Sequence, residues 1–255
     1  MKVPLSINPK NRIESLQAPL RCGLVREIRG LLELPRLLLR IPTLACQPRG
    51  HDEPVLVLPG YGAGDASTVL LRSYLYLLGY RVRGLGQANS GDVPRLLVHV
   101  LKCLVSFAQK AQQEVRLIGW SLGGYLAREA ARERPDLVQQ VITLGTPVVG
   151  GPKYTVVAHT FRRWGIDVDR IEAQIESRNR IALTTPVTAI YSRYDAVVAW
   201  EACLDRHCLN VEHIEVRTTH LGFGFSPEVY RIIAHRLANG GIESGRRLLT
   251  VVGKE

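Results

Sequence analysis

From residue 54 onward, short apolar runs rich in β-branched residues alternate with longer segments of helical periodicity, which restricts the architectures open to the chain. Val55-Leu56-Val57-Leu58 has the length and composition of a buried strand. Ala66 to Leu78 then reads as a helix, with Asp65 and Ser67 placed to cap it. Residues 80–84 form the next strand pattern, 93–113 the next helix, and 115–118 a further strand. A helix then runs to about Arg134, where Pro135 stops it. Strand patterns follow at 141–144, 187–191 and 213–216, and Pro227 to Ala238 closes with a helix. Strands separated by helices predict an α/β fold, a mostly parallel sheet covered by helices on both faces. In such sheets ligands gather at the carboxyl ends of the strands, so chemistry is expected in the loops that follow them. Residues 148–185 break the rhythm and read as a small lid inserted between two strands, with a helix near 170–177.

Composition narrows the class. With 46% hydrophobic and 22% charged residues, the 255-residue chain is expected to bury a large core. Its net charge of +10 is uneven: residues 1–50 hold nine Lys or Arg against three Glu. The expected organisation is a basic helical segment over 1–50, an α/β domain over 51–245 carrying the insertion at about 148–185, and a basic tail over 246–255. Five cysteines show no metal-ligand spacing. Cys203 and Cys208 are near enough in sequence to bond, but free thiols and a cytoplasmic location are the expectation. The first twenty residues lack the apolar core of a secretory signal, and Leu31 to Ile41 is too interrupted by charge and proline to span a bilayer.

The chemistry centres on Gly119-Trp120-Ser121-Leu122-Gly123, a G-x-S-x-G pattern between a strand and a helix. Such a turn is tight enough to require glycine two residues to either side of the serine, and it holds the hydroxyl beside the first free amides of the helix. With 11 serines and 23 glycines, about one chain in ten of this composition would contain the pattern by chance, so its context decides. A serine nucleophile needs a base, an orienting carboxylate and oxyanion donors. Asp195 stands just past the strand ending at Tyr191, and His220 just past the strand ending at Val216. Ser121, Asp195 and His220 thus each fall just after a strand, in a recurrent chain order.

Each has alternatives. Asp195 sits where a turn or capping Asp is common. Asp167 and Asp205 follow no strand. Among the other histidines, His159 in the lid is the chief rival, whereas His99, His213 and His235 lie within predicted elements and His207 precedes the last strand. Leu58-Pro59-Gly60-Tyr61-Gly62 follows the first strand, and Gly60 and Gly62 let its backbone turn an amide toward the serine. The oxyanion donors are therefore assigned as the amides of Tyr61 and Leu122. No phosphate-binding glycine pattern follows a strand.

The elbow, the PGYG loop, LGTP at 144–147 and the Asp-then-His order resemble the α/β-hydrolase superfamily over about residues 54–240. LGTPVVGG and YSRYDAVV are similar to segments of bacterial lipase- and esterase-like proteins. Two features depart from the pattern: Pro59-Gly60 stands where many relatives have His-Gly, and no pair of antiparallel strands is legible before residue 54. The resemblance implies a serine hydrolase of carboxylic esters, lipid-like acyl esters given the apolar lid residues Phe161, Trp164, Ile166 and Ile171, with no metal or organic cofactor. An acyltransferase or thioesterase using the same residues is the alternative, and a non-catalytic binding relative a more distant one.

Residues 22–41 combine the apolar positions Leu24, Ile28, Leu31 and Leu32 with Arg26, Arg29, Arg36 and Arg40. Two readings stand: a helix packed on the sheet edge with a solvated basic face, or an interfacial helix making peripheral contact with an anionic membrane. Pro35 interrupts the helix and weighs against the second. Nucleic acid is not an expected partner, since the arginines are not interleaved with aromatics.

Overall fold

The computed structural model describes residues 16–240. The basic tail and residues 1–15 lie outside the described residues. A long 3-10 segment, Arg21–Leu32, leads into α1 (Glu33–Leu39) and α2 (Ile41–Ala45). The core follows as β1 (Pro54–Leu58), α3 (Val69–Leu77), β2 (Arg81–Arg83), α4 (Val93–Ala111), β3 (Val115–Trp120), α5 (Leu122–Glu133) and β4 (Val138–Leu144). Then come α6 (Ala158–Arg163), α7 (Val168–Asn179), β5 (Val187–Tyr191), β6 (Val211–Glu215) and α8 (Pro227–Ala238). The six strands form one parallel sheet in the order β2-β1-β3-β4-β5-β6. The absence of a leading antiparallel pair holds among the described residues.

Because side chains alternate along a strand, the sheet has two apolar faces. Val55, Val57, Ile118, Ile142 and Ile190 pack against α3, α8 and Leu37 and Leu44 of the N-terminal helices. Leu56, Leu58, Leu117, Val141 and Val187 pack against α4 and α5. The short edge strand β2, Arg-Val-Arg, exposes both arginines, which discourages edge-to-edge pairing. The chain passes from β2 across β1 to β3, so the topological switch point lies between β1 and β3, where an open parallel sheet forms its ligand crevice.

Three expectations need correction. Asp65 does not cap α3, which opens instead with a 3-10 turn, Asp65–Thr68, that has no side-chain cap. Its carboxylate accepts from the amides of Leu85 and Gly86 at 2.8 and 3.0 Å, tying the start of this helix to the loop after β2. The second correction concerns the N-terminal segment, which packs on the 3-10 turn Leu221–Gly224 and on α8 rather than on the sheet edge. Its 3-10 winding repeats every three residues, so Glu27, Gly30 and Glu33 form the buried ridge while Val25, Ile28 and Leu31 form an exposed one. An α-helical stripe through Ile28, Leu31 and Leu32 is therefore not what the fold buries. Finally, the helix expected near 170–177 is longer and is preceded by α6. Arg178 of α7 holds this stretch to α5 by donating to Glu129 at 2.7 Å and Glu133 at 2.6 Å.

Arg128, on α5, is fully buried and pairs at 2.6 Å with Asp205, whose other oxygen accepts from the amides of His207 and Cys208. Cys203 and Cys208 are both free, buried thiols. Removing one member of a buried ion pair strands the other charge in a low-dielectric interior. Asp205→Ala should thus destabilise the protein by about 3–5 kcal/mol and lower Tm by roughly 6–20 °C in calorimetry.

Candidate active site

The Ser121 backbone lies at φ 53° and ψ −121°, a left-handed conformation that non-glycine residues rarely adopt. The surrounding glycines show why the turn is possible. A Cβ on Gly119 would collide with the backbone of Gly123 and Gly124, and one on Gly123 with the carbonyls of Leu58 and Pro59. Gly124, not singled out from the sequence, meets Thr146 in the same way. Helix α5 thus begins in contact with the end of β1, and Leu122 is its first residue, with one of the unpaired amides of a helix start.

The PGYG loop lies against the elbow: a Cβ on Gly60 would sit 3.4 Å from Ser121 Cβ. Ala63 donates to the Gly60 carbonyl at 3.2 Å, and Gly62, at φ 69°, donates to the Asn89 carbonyl at 2.8 Å. These hydrogen bonds engage the amides of the two residues after Tyr61 and not that of Tyr61 itself. Asn89 is fully buried, and its side chain donates to Pro59 O at 2.9 Å. It braces this loop from the segment after β2. Nothing in the local sequence marks Asn89 as a brace, because the carbonyl to which it donates lies 30 residues away.

The strand ends bring the other two candidates near. Ser121 N–H donates to Leu144 O at 2.8 Å, and Gly145 N–H to Ile190 O at 2.9 Å. Gly145, at φ 53°, has no side chain between it and the catalytic candidates; a Cβ there would lie 3.0 Å from both Asp195 Oδ2 and His220 Nδ1. Asp195 Oδ2 meets His220 Nδ1 at 2.7 Å, with both side chains largely or wholly buried. Asp195 Oδ1 accepts from the amides of Val197 and Val198 at 2.8 Å each, so the turn role weighed for Asp195 and its pairing with His220 coexist on separate oxygens. The imidazole packs edge-on to Phe223 and 6.2 Å from the Trp120 ring, the residue before Ser121. Ser121 Oγ itself forms no hydrogen bond with His220; such bonds are often long before substrate arrives.

The rival residues lie in other settings. Asp167 caps α7, Asp205 holds Arg128, and His159 is exposed on α6. His207 faces Glu176 at 3.6 Å, and His99 contacts the Leu85 carbonyl at 2.9 Å. Phe161 of α6 meets Tyr61 edge-on at 5.6 Å and stacks on Trp164 at 6.1 Å. An aromatic row thus runs from the PGYG loop into the stretch between β4 and β5.

These features define an α/β-hydrolase fold, with Ser121 at the switch point and Asp195 and His220 in the loops that follow β5 and β6. No family model matches the chain, and no curated protein matches it by sequence. Solved structures do. One, from work on the metagenome-derived lipolytic enzymes LipS and LipT, matches with a TM-score of 0.58 at 15% identity, over 76% of this chain and 95% of that one. The monoacylglycerol lipase of Paleococcus ferrophilus matches at 0.56 and 16%, over 77% and 98%. Mouse α/β-hydrolase domain-containing protein 10 matches at 0.55 and 17%, over 76% and 91%. At these identities the likeness is one of fold, and it bears out the resemblance read from the motifs.

Burial is the largest single influence on the His220 imidazole and lowers its pKa. The Asp195 carboxylate, through charge and hydrogen bond, together with Glu27 outweighs it, leaving the pKa above the ordinary 6.5. In Asp195→Asn the burial penalty stays and the dominant anion goes, so the pKa should drop. An NMR titration should follow the wild-type ring through a midpoint above 6.5, and the variant's midpoint should be lower.

Proposed function

We propose that this protein is a serine hydrolase that cleaves carboxylic esters through an acyl-enzyme. Ser121 attacks the acyl carbonyl, and its proton passes to Nε2 of His220. Asp195, bonded to Nδ1, holds the tautomer that leaves Nε2 free to accept, and stabilises the imidazolium that forms. The carbonyl oxygen becomes an oxyanion facing the amides of Tyr61 and Leu122, each worth about 3 kcal/mol to the transition state. His220 then returns the proton to the departing alcohol, and water repeats the sequence to release the acid. The observation that supports this reading most is the buried 2.7 Å Asp195–His220 pair beside Gly145, one strand from the strained Ser121 turn.

The aromatic row of Tyr61, Phe161 and Trp164 favours an apolar acyl group, with residues 148–185 acting as a lid over it. The neighbouring folds include a monoacylglycerol lipase and lipolytic enzymes, which agrees with a lipid-like ester. The wild type should release p-nitrophenol from p-nitrophenyl esters, and Ser121→Ala should lose on the order of 10⁶-fold in turnover. A fluorophosphonate should label Ser121. Unchanged turnover in Ser121→Ala would exclude the mechanism. A chain-length series with a thioester arm distinguishes an esterase from a thioesterase.

Peripheral contact with anionic membrane is a second part of this reading. Val25, Ile28, Leu32, Leu38 and Leu39 are all more than 60% exposed, next to exposed Arg26, Arg29, Arg36 and Arg40. Apolar side chains that can enter the acyl boundary, flanked by cations that meet its phosphates, are the composition of an interfacial segment. No helix among the described residues is long and apolar enough to cross a membrane. The protein should sediment with phosphatidylglycerol vesicles and not with phosphatidylcholine ones. Equal binding to both, or none, removes this part alone.

A further inference from the structure

The N-terminal 3-10 segment carries a buried carboxylate that the chemistry above does not use. Glu27 is 7% exposed, and its two oxygens reach two different loops. Oε1 accepts from the amide of Ala196 at 2.8 Å, and Oε2 from the amide of Leu221 at 2.8 Å. These are the residues immediately after Asp195 and His220. The segment can approach so closely because glycines flank the carboxylate on the same side. A Cβ on Gly30 would lie 2.7 Å from the Gly222 amide nitrogen, and one on Gly23 would meet Ala196 Cβ at 3.3 Å.

We propose that Glu27 is a positioning residue that sets the relative placement of the Asp195 and His220 loops by bridging them with one carboxylate. This rests on the assignment of Asp195 and His220 as acid and base. The loops leave neighbouring strands and are otherwise joined near the site chiefly by the Asp195–His220 bond itself and by Ser192 Oγ donating to the Thr218 carbonyl at 2.5 Å. A rigid planar group with an amide on each oxygen restricts both loops at once. Charged acceptors form the stronger class of hydrogen bond, and buried amides left without an acceptor are costly. On the Asp195 loop the sharing is complete: Glu27 takes the Ala196 amide, and Asp195 Oδ1 takes those of Val197 and Val198. On the His220 loop Glu27 caps the first amide of the turn Leu221–Gly224, which His220 itself initiates.

Glu27→Gln keeps one acceptor and replaces the other with a donor facing an amide; Glu27→Ala removes both. In the full-length protein, kcat for p-nitrophenyl butyrate should fall about tenfold in Glu27→Gln and about a hundredfold in Glu27→Ala, with KM within about twofold, since a small misplacement of catalytic groups costs rate rather than binding. Each rate is normalised to the folded fraction measured by circular dichroism. The downfield proton NMR resonance of the His220 Nδ1–H in the Asp195 bond should shift or broaden in both variants. Among the described residues, Asp195 and Glu27 are the anions acting on the imidazole. The acid limb of kcat/KM should accordingly move to lower pH in Glu27→Gln. Unchanged kcat in folded Glu27→Gln, or a loss matched by the unfolded fraction with the resonance and acid limb unmoved, would overturn the proposal. A wild type without Ser121-dependent turnover would instead refute the hydrolase reading, and the Nδ1–H resonance would still decide whether Glu27 sets the loop geometry.

Discussion

The site depends on a contact in which three residues have no side chain. Gly119, Gly123 and Gly124 let the start of α5 press against the end of β1 and against Thr146 after β4, and this close approach forces Ser121 into its left-handed conformation. A strained residue persists only when its surroundings over-determine it. Here they do: the Ser121 amide is bonded to Leu144, the PGYG loop lies on one side, and α5 is buried along most of its length. The same contact sets Leu122 at the start of α5 and brings that helix start against Leu58 and Pro59, where the PGYG loop begins, so strain and the approach of these two segments have one cause.

The rest of the site is held by polar side chains placed to satisfy the backbone groups of the loops. Asn89 bonds the Pro59 carbonyl, Asp65 takes two amides after β2, Asp195 takes two in its own turn, and Glu27 takes one from each of two loops. Loops at a sheet's carboxyl edge have no ladder to satisfy their backbone, so buried polar side chains must do it. Each such side chain also fixes where a loop stands. The N-terminal segment serves this role with its inner ridge, while its outer ridge of Val25, Ile28 and Leu31 remains exposed.

The sequence was most legible where the physics is local. Except for the edge strand Arg81–Arg83, the strands are carried by short apolar runs, legible because alternation and hydrophobicity are properties of neighbouring positions. Five of the six lie within two residues of the sequence reading, and β4 starts three residues before it, at Val138. The elbow was legible because its steric demand confines glycine to fixed spacings. Asp195 and His220 could be singled out by their places after strands. The N-terminal segment was misread because an α-helical period of 3.6 was assumed where packing on the His220 loop selects a period of three. Asp65 was misread as a cap because nothing local distinguishes a cap from a tether to residues 20 positions on.

By itself, the sequence determined the class of fold, the turn at Ser121 and the order in which candidate chemical groups follow the strands. Only the tertiary structure decided that Asp195 meets His220 at 2.7 Å, that Asn89 braces the loop bearing Tyr61, and that Glu27 reaches across 169 and 194 residues to the two loops. The division has a physical reason. Periodicity and turn sterics act between residues a few positions apart, whereas the partner of a buried polar group is whichever distant backbone the packed layers bring within hydrogen-bond reach.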